Sequence, residues 1–380
     1  MDVDALLTDL RLTCARHAAV PDHVRGMHVP YFRRAVMAIP AFKLAACGDP
    51  AVDGRVQSLK LMAGAAKFPV DAFFYDLEDA APDQPQFKAL ARQFCIEALL
   101  QHDFGDRVVG FRPNNLRTAE FEADLVQVLQ AAGHRLRMIV IPKTETAAEV
   151  VDIARLVAQA CRLFGIDRVP QLEVLIESPR ALLQAQQIAA VPGVAALVFG
   201  AYDFARCVGG QVDPQTWLDD QSVARQWLVA VAASEGKDAV DAITATLPLR
   251  PRDPQAPTPQ ELADRHAALE LCRRDAADAA RLGFAGKWVL HPDQIGPIQN
   301  AFSPTREQAL RALRVCADYA RAQVAGVGAQ VDRGQLVDKA VAGEQWWIVR
   351  AGLRAAVLDA ADVADAGVTL ERIARVVGTR

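Results

Sequence analysis

The stretch AFFYDLEDAAPD, Ala72 to Asp83, decides how the chain is read. Its first half is apolar and aromatic without a break, as a strand buried on both faces is. Its second half brings Asp76, Glu78 and Asp79 within four positions. Like charges this close repel, and burying them unpaired is costly. Either a cation sits among them, or the cluster is a solvated strand end.

Seven other stretches have the strand form: RAVMAIP (Arg34–Pro40), VVGFRP (Val108–Pro113), RMIVIPK (Arg137–Lys143), QLEVLIES (Gln171–Ser178), AALVFGAYD (Ala195–Asp203), AVDAITATL (Ala239–Leu247) and KWVLHP (Lys287–Pro292). Between them run helical segments such as TAAEVVDIARLVAQACRLFG. Eight β–α repeats over about 260 residues point to a (β/α)8, or TIM, barrel. A doubly wound open sheet is the alternative, but no GxGxxG follows the first strand. The expected division is a barrel over residues 1–303, with an N-terminal helix, and a helical C-terminal lid or arm over 304–380. That arm reads as a helix (Thr305–Val324), a hairpin or turn (Gly326–Ala340) and further helix. It looks too small for a core of its own and too long for a tail. Pro248–His266, rich in proline and charge, reads as a long loop after strand seven.

Composition narrows the function classes. The chain has 380 residues, 52% of them hydrophobic, enough for a large core. A net charge of −4 gives no basic field for nucleic acid. No apolar run approaches the roughly 18 residues of a membrane helix. Seven scattered cysteines without a CxxC pair read as reduced thiols, and MDVDALLTDLRL lacks the apolar stretch of a signal peptide, so a cytoplasmic protein is expected.

Polar residues recur at the strand ends. They are Asp76, Glu78 and Asp79; Arg112 and Asn114; Lys143 and Glu145; Glu173 and Glu177; Asp203; and His291 and Asp293. In a parallel barrel such ends converge on one mouth. Acids interleaved with Arg112 and Lys143 would then surround a hard divalent cation. Mg2+ or Mn2+ suits oxygen ligands, and Mg2+ usually takes only one or two carboxylates directly. Lys143 could be a Schiff-base lysine only if desolvated. With so many acids nearby it reads instead as a charged neighbour. Asp76 alternates with the core side of its strand and reads as structural.

The motifs DLEDAAPD, GFRPNN, VIPKTET, LEVLIESPRAL, LVFGAYDFA and GFAGKWVLHPDQIGPIQNAFSPT stand in this order along the chain. Together they resemble the citrate lyase beta-subunit-like family, which includes malyl-coenzyme A lyase and citramalyl-coenzyme A lyase, within the HpcH/HpaI aldolase superfamily. The resemblance spans roughly Arg33 to Asp338. It implies that Glu177 and Asp203 bind Mg2+ and that Glu78 and Asp79 hold the metal's waters. It implies that Arg112 contacts the reacting oxygen of the substrate, with Asn114 beside it in substrate binding. Asp338, in GQLVDKA, is implied to reach a neighbouring subunit's site as an acid/base, which requires a homo-oligomer, a trimer or hexamer. His291 would shape the last turn, and Trp346-Trp347 would pack an interface. The activity implied is cleavage of a 3-hydroxy-3-carboxyacyl-coenzyme A to a 2-oxoacid and an acyl-coenzyme A, or the reverse condensation. An aldolase on free hydroxy-oxoacids and a non-catalytic thioester-binding homologue are the rivals. One departure stands out: the first strand ends Pro40-Ala41-Phe42 where the family has Pro-Gly. Loss of that glycine is expected to alter the thioester pocket.

Overall fold

The computed structural model describes residues 33–44, 48–105, 107–213 and 221–377. The expected N-terminal helix lies outside these. Eight parallel strands close into a barrel in sequential order. They are β1 (Ala35–Pro40), β2 (Ala72–Asp76), β3 (Val108–Arg112), β4 (Met138–Ile141), β5 (Gln171–Ile176), β6 (Val194–Phe199), β7 (Asp238–Asp241) and β8 (Gly286–Val289). Asp76 and Arg112 end β2 and β3, and Glu78, Asp79, Lys143, Glu177 and Asp203 follow the ends of their strands. The latter five therefore belong to the loops and helix starts at the mouth.

Side chains alternate between two cores, as strand geometry requires. One set, with Val36, Phe74, Met138, Leu175, Val198, Val240 and Trp288, fills the barrel interior. The other set packs outward against the helices. Gly110 and Gly286 sit where neighbours leave no room. A Cβ at Gly110 would meet the Met138 carbonyl oxygen at 2.6 Å, and one at Gly286 would overlap the backbone of Arg33. Below the apolar layers, Arg33 binds Glu173 at 2.6 Å and Asp238 at 3.4 Å, all three buried. Glu173, expected at the mouth, is therefore inside the barrel near its opposite end. It lies third in a six-residue strand, too early to reach the mouth.

The loop after β7 is shorter than the sequence suggested. A helix runs from Pro259 to Leu282, so the last part of Pro248–His266 is helical. Thr258 and Glu261 form a reciprocal capping box around Pro259 at the first helical position. That combination is a strong start signal hidden in a proline-rich stretch.

From Pro304 onward the chain forms a second compact unit. It contains helices Arg306–Val324, Lys339–Arg354, Ala360–Asp365 and Leu370–Val377, with a hairpin of Gln330–Asp332 and Gln335–Val337. Arg333 and Gly334, at φ 47° and 81°, make the hairpin turn. Contrary to expectation this unit has its own hydrophobic cluster, including Leu313, Tyr319, Val337, Trp346 and Ile373. Small residues make that possible. A Cβ at Gly352 would already stand 3.0 Å from Ala309 Cβ, so the two long helices approach closely. Trp346 belongs to this core and is not the interface residue expected, while Trp347 stacks on Arg350 at 5.1 Å.

Candidate active site

The inward-facing series continues past the strand ends, and this builds the mouth. Phe74 is followed two residues on by Asp76, Gly110 by Arg112, Leu175 by Glu177, Val198 by Gly200 and Trp288 by Leu290. All of these residues except Gly110, Phe74 and Val198 line one cavity of about 320 Å³, joined by Asp79, Asp203, Tyr202 and Ile243.

Asp76 and Arg112 are register partners on neighbouring strands. Arg112 donates Nε and Nη2 to the two Asp76 oxygens at 2.7 and 2.6 Å, a bidentate pair in a buried setting. Its Nη1 meets Glu78 at 3.3 Å and Asp79 at 3.7 Å. The guanidinium also lies over the rings of Trp288 and Phe74, at 5.7 and 5.9 Å. Burial pulls its pKa down, but Asp76, Glu78 and Asp79 outweigh that and raise it. Asp76 is thus structural in a specific sense: it fixes the arginine.

Glu177 follows β5 and is buried. Its Oε1 accepts from the Lys143 backbone N–H at 2.5 Å. Asp203 sits in the first turn of helix Ala201–Cys207. Its Oδ1 takes Arg206 at 2.6 Å and its Oδ2 faces Lys143 Nζ at 3.6 Å. Lys143 Nζ also reaches Glu78 at 3.1 Å and Asp79 at 3.3 Å. It is the charged neighbour expected, and it is the hub of the acidic group. Burial pushes Glu78 and Glu177 up to about 7 each, against the pull of Arg112 on Glu78 and of Lys143 on both. For Asp79, burial is outweighed by Arg112 and Lys143, and its pKa falls.

A divalent cation fits this donor set. Among the described residues no three His, Cys, Asp or Glu side chains form a ready metal cage. Glu177 and Asp203 alone would leave most positions to water and substrate, the usual habit of Mg2+. Two features favour that use. Neither oxygen of buried Glu78 has a hydrogen bond of good geometry, so the waters of a hydrated ion would find acceptors there. Gly200 leaves room for Glu177: a Cβ there would stand 2.4 Å from Glu177 Cβ and 2.9 Å from Oε2.

Asn114 is placed differently from the expectation. Its side-chain amide and its backbone N–H both donate to Asp124, at 2.7 and 2.8 Å, and it does not line the cavity. Asp124, itself held by Arg92 at 2.7 Å, draws the side chain out toward the helix layer. Asp338 caps helix Lys339–Arg354, accepting from Val341 N–H at 3.0 Å. His291 does shape the turn after β8, its Nδ1 accepting from Asp293 N–H at 3.2 Å. The Pro40-Ala41-Phe42 departure does not distort the backbone, since Ala41 and Phe42 are not among the positive-φ residues. Phe42 turns into the helix layer, 5.2 Å from Phe87 and 6.2 Å from Phe94. Sequence reading missed Gly200 and the Asp76–Arg112 pair. The two-residue step from each inward-facing side chain was the signal for both.

The HpcH/HpaI aldolase/citrate lyase model matches residues 56–249. The chain belongs to this family. An L-malyl-CoA/beta-methylmalyl-CoA lyase of Cereibacter sphaeroides is 32% identical over 77% of this chain and 89% of its own length. A citrate lyase subunit beta-like protein of Deinococcus radiodurans is 31% identical over 73% of this chain and 88% of its own length. The mitochondrial citramalyl-CoA lyase of Mus musculus is 26% identical over 87% and 93%. A solved structure of the protein CitE from Mycobacterium tuberculosis, in complex with magnesium, acetoacetate and coenzyme A, shares the fold with a TM-score of 0.61, at 24% identity over 84% of this chain and 97% of that one. A Burkholderia xenovorans citrate lyase gives a TM-score of 0.69 at 22% identity, over 90% and 98%. The class into which this family member falls is that of a carbon–carbon lyase. No helix among the described residues is long and apolar enough to cross a membrane.

Proposed function

We propose that this lyase depends on a divalent metal, Mg2+ first, and cleaves a 3-hydroxy-3-carboxyacyl-coenzyme A such as malyl- or citramalyl-coenzyme A. The observation that carries the reading is the meeting of Glu177, Asp203 and Arg112 at one cavity. Leu175, Ile243, Trp288 and Leu290 give that cavity an apolar side. A cation held by Glu177 and Asp203 would polarise the substrate's carboxylate and hydroxyl oxygens. Transfer of the hydroxyl proton to Asp338 of a second copy of the chain breaks the adjacent carbon–carbon bond and releases a 2-oxoacid. Arg112, locked by Asp76, presents positive charge where the thioester enolate oxygen develops. Asp338 of a second copy of the chain protonates the enolate carbon, which makes the protein a homo-oligomer, a trimer or hexamer. The reverse direction is a Claisen-type condensation.

A second cavity of about 570 Å³ supports a thioester substrate. It shares Ala38, Pro40 and Leu290 with the first and is lined by Lys43 and Lys60. Two lysines beside the mouth suit the anionic arm of a coenzyme A. The test is a coupled screen of acetyl- and propionyl-coenzyme A against glyoxylate, pyruvate and oxaloacetate, with free acetate and propionate as controls. Condensation of a thioester that needs Mg2+ and vanishes in Glu177→Gln is expected. Turnover of free acids alone would sink the thioester reading.

A further inference from the structure

We propose that Lys143 is a built-in counter-ion that assembles the acidic cradle and competes with a divalent cation for it. The proposal rests on the reading of Glu177 and Asp203 as metal ligands. The backbone carries the first part of the argument. Lys143 adopts a left-handed φ of 52°, a conformation disfavoured for any residue with a Cβ. Both of its peptide groups are tied down. Its N–H donates to Glu177 at 2.5 Å, and its carbonyl accepts from Arg117 Nη1 at 2.7 Å. Arg117 is held in turn by Glu149 at 2.5 Å, and Glu149 also accepts from the Glu145 N–H at 2.9 Å. An unstrained backbone at 143 would give up the bond to Glu177.

The ammonium carries the second part. It stands within 3.6 Å of Glu78, Asp79 and Asp203, which come from the ends of two different strands. With the backbone bond to Glu177, this one residue joins the ends of β2, β4, β5 and β6. Without it, the ion pairs left to Glu78, Asp79 and Asp203 among the described residues would be those to Arg112 and the exposed Arg206, and Arg112 already spends two donors on Asp76. A divalent cation needs Asp203 and the same negative potential. The ammonium and the cation therefore oppose one another, and removing the ammonium strengthens metal binding while weakening the metal-free fold. A lysine that merely oriented the acids for the metal would do the reverse: its removal would weaken binding.

The experiment is titration calorimetry with Mg2+ at a pH of about 8, well above the ordinary carboxyl range, on the full chain. The variants are Lys143→Met, Arg117→Met and Glu177→Gln. Met keeps the length and the left-handed strain of Lys while removing the charge. Lys143→Met should bind Mg2+ about tenfold more tightly than wild type, and its metal-free melting temperature should fall and recover with Mg2+. Arg117→Met, which frees the backbone, should shift both readouts in the same direction by less. Equal or weaker Mg2+ binding by folded Lys143→Met overturns the proposal. Should that variant stay unfolded even with Mg2+, Arg117→Met decides by the same criterion. A wild type that binds no Mg2+, or a Glu177→Gln that binds it as well as wild type, fails the ligand reading and takes this proposal with it.

Discussion

Gly200→Ala strikes a proposed metal ligand without altering it. The added methyl would lie 2.4 Å from Glu177 Cβ and 2.9 Å from Glu177 Oε2. Carbon atoms in contact sit about 3.5 to 4.0 Å apart, so one of the two must move by about 1 Å. Gly200 has φ −96°, a value any residue adopts, so the substitution brings steric pressure and no backbone penalty. Overpacking of this kind costs about 1–3 kcal/mol. At about 2–4 °C per kcal/mol for a domain of this size, the melting temperature falls by several degrees. The functional loss is larger in proportion. Glu177 sits 2.5 Å from the Lys143 N–H and has no slack to absorb the shift. Loss of a ligand's support typically costs about 10- to 100-fold in metal affinity. Calorimetry with Mg2+ measures this, with Gly105→Ala as the control. Gly105 has φ 55° and nothing within 4 Å of an added Cβ, so alanine there strains the backbone far from the mouth. Gly200→Ala is expected to lose metal affinity, and Gly105→Ala only stability. Mg2+ affinity within twofold of wild type in Gly200→Ala would refute the placing of Glu177 in the metal's shell.

Asp76→Asn should free Arg112 and leave it half-satisfied by Glu78 and Asp79; removing one partner of a buried pair costs about 3–5 kcal/mol, and kcat should fall more than Mg2+ affinity. Unchanged turnover would mean that the bidentate pair does not position the arginine for chemistry. Subunit exchange between inactive Glu177→Ala and Asp338→Ala should restore activity, because some sites would combine an intact Glu177 with an intact Asp338 from another copy; mixed oligomers that stay inactive would confine Asp338 to its helix-capping role. The pH response follows from Glu78 and Glu177, both raised to about 7. A raised carboxyl keeps its proton in the folded protein after the unfolded chain has released it, so its stabilising contribution is complete below about pH 4.5 and declines as pH rises to about 7. Metal binding needs the ionised form, so Mg2+ affinity should climb between about pH 6 and 8 and then level off. A flat calorimetric affinity over that range would contradict the raised values.

The barrel was legible because its strands are buried on both faces and therefore read as unbroken apolar runs. The family motifs then located the mouth residues in order. What a run of apolar residues cannot show is depth along the barrel. Glu173 and Glu177 are four apart and look alike in QLEVLIES, yet Glu173 pairs with Arg33 at one end and Glu177 faces the cavity at the other. Their shared parity is visible in the sequence; which layer each occupies depends on where β5 begins. The helix start at Pro259 was obscured for a different reason. Proline and charge are as common in loops as in first turns, and only the Thr258–Glu261 pairing separates the two.

Asn114 shows where residue type alone misleads. It follows Arg112 by two positions, so alternation would keep it facing inward. The chain has left the strand at Arg112, however, and strand alternation ends with the strand. Two hydrogen bonds to Asp124 then turn the side chain outward. Glu177 also lies beyond its strand, but it stays inward because Gly200 makes room beside it and the Lys143 N–H meets it there. Each outcome is decided by a residue on another element: Asp124 on the following helix for Asn114, and Lys143 and Gly200 for Glu177. Nothing in the local pattern around position 114 or 177 carries that information. The same logic explains the tolerance of Pro40-Ala41-Phe42. No positive φ is required at Ala41, and Phe87 and Phe94 supply a place for the extra ring, so a change that looked local is absorbed by the helix layer.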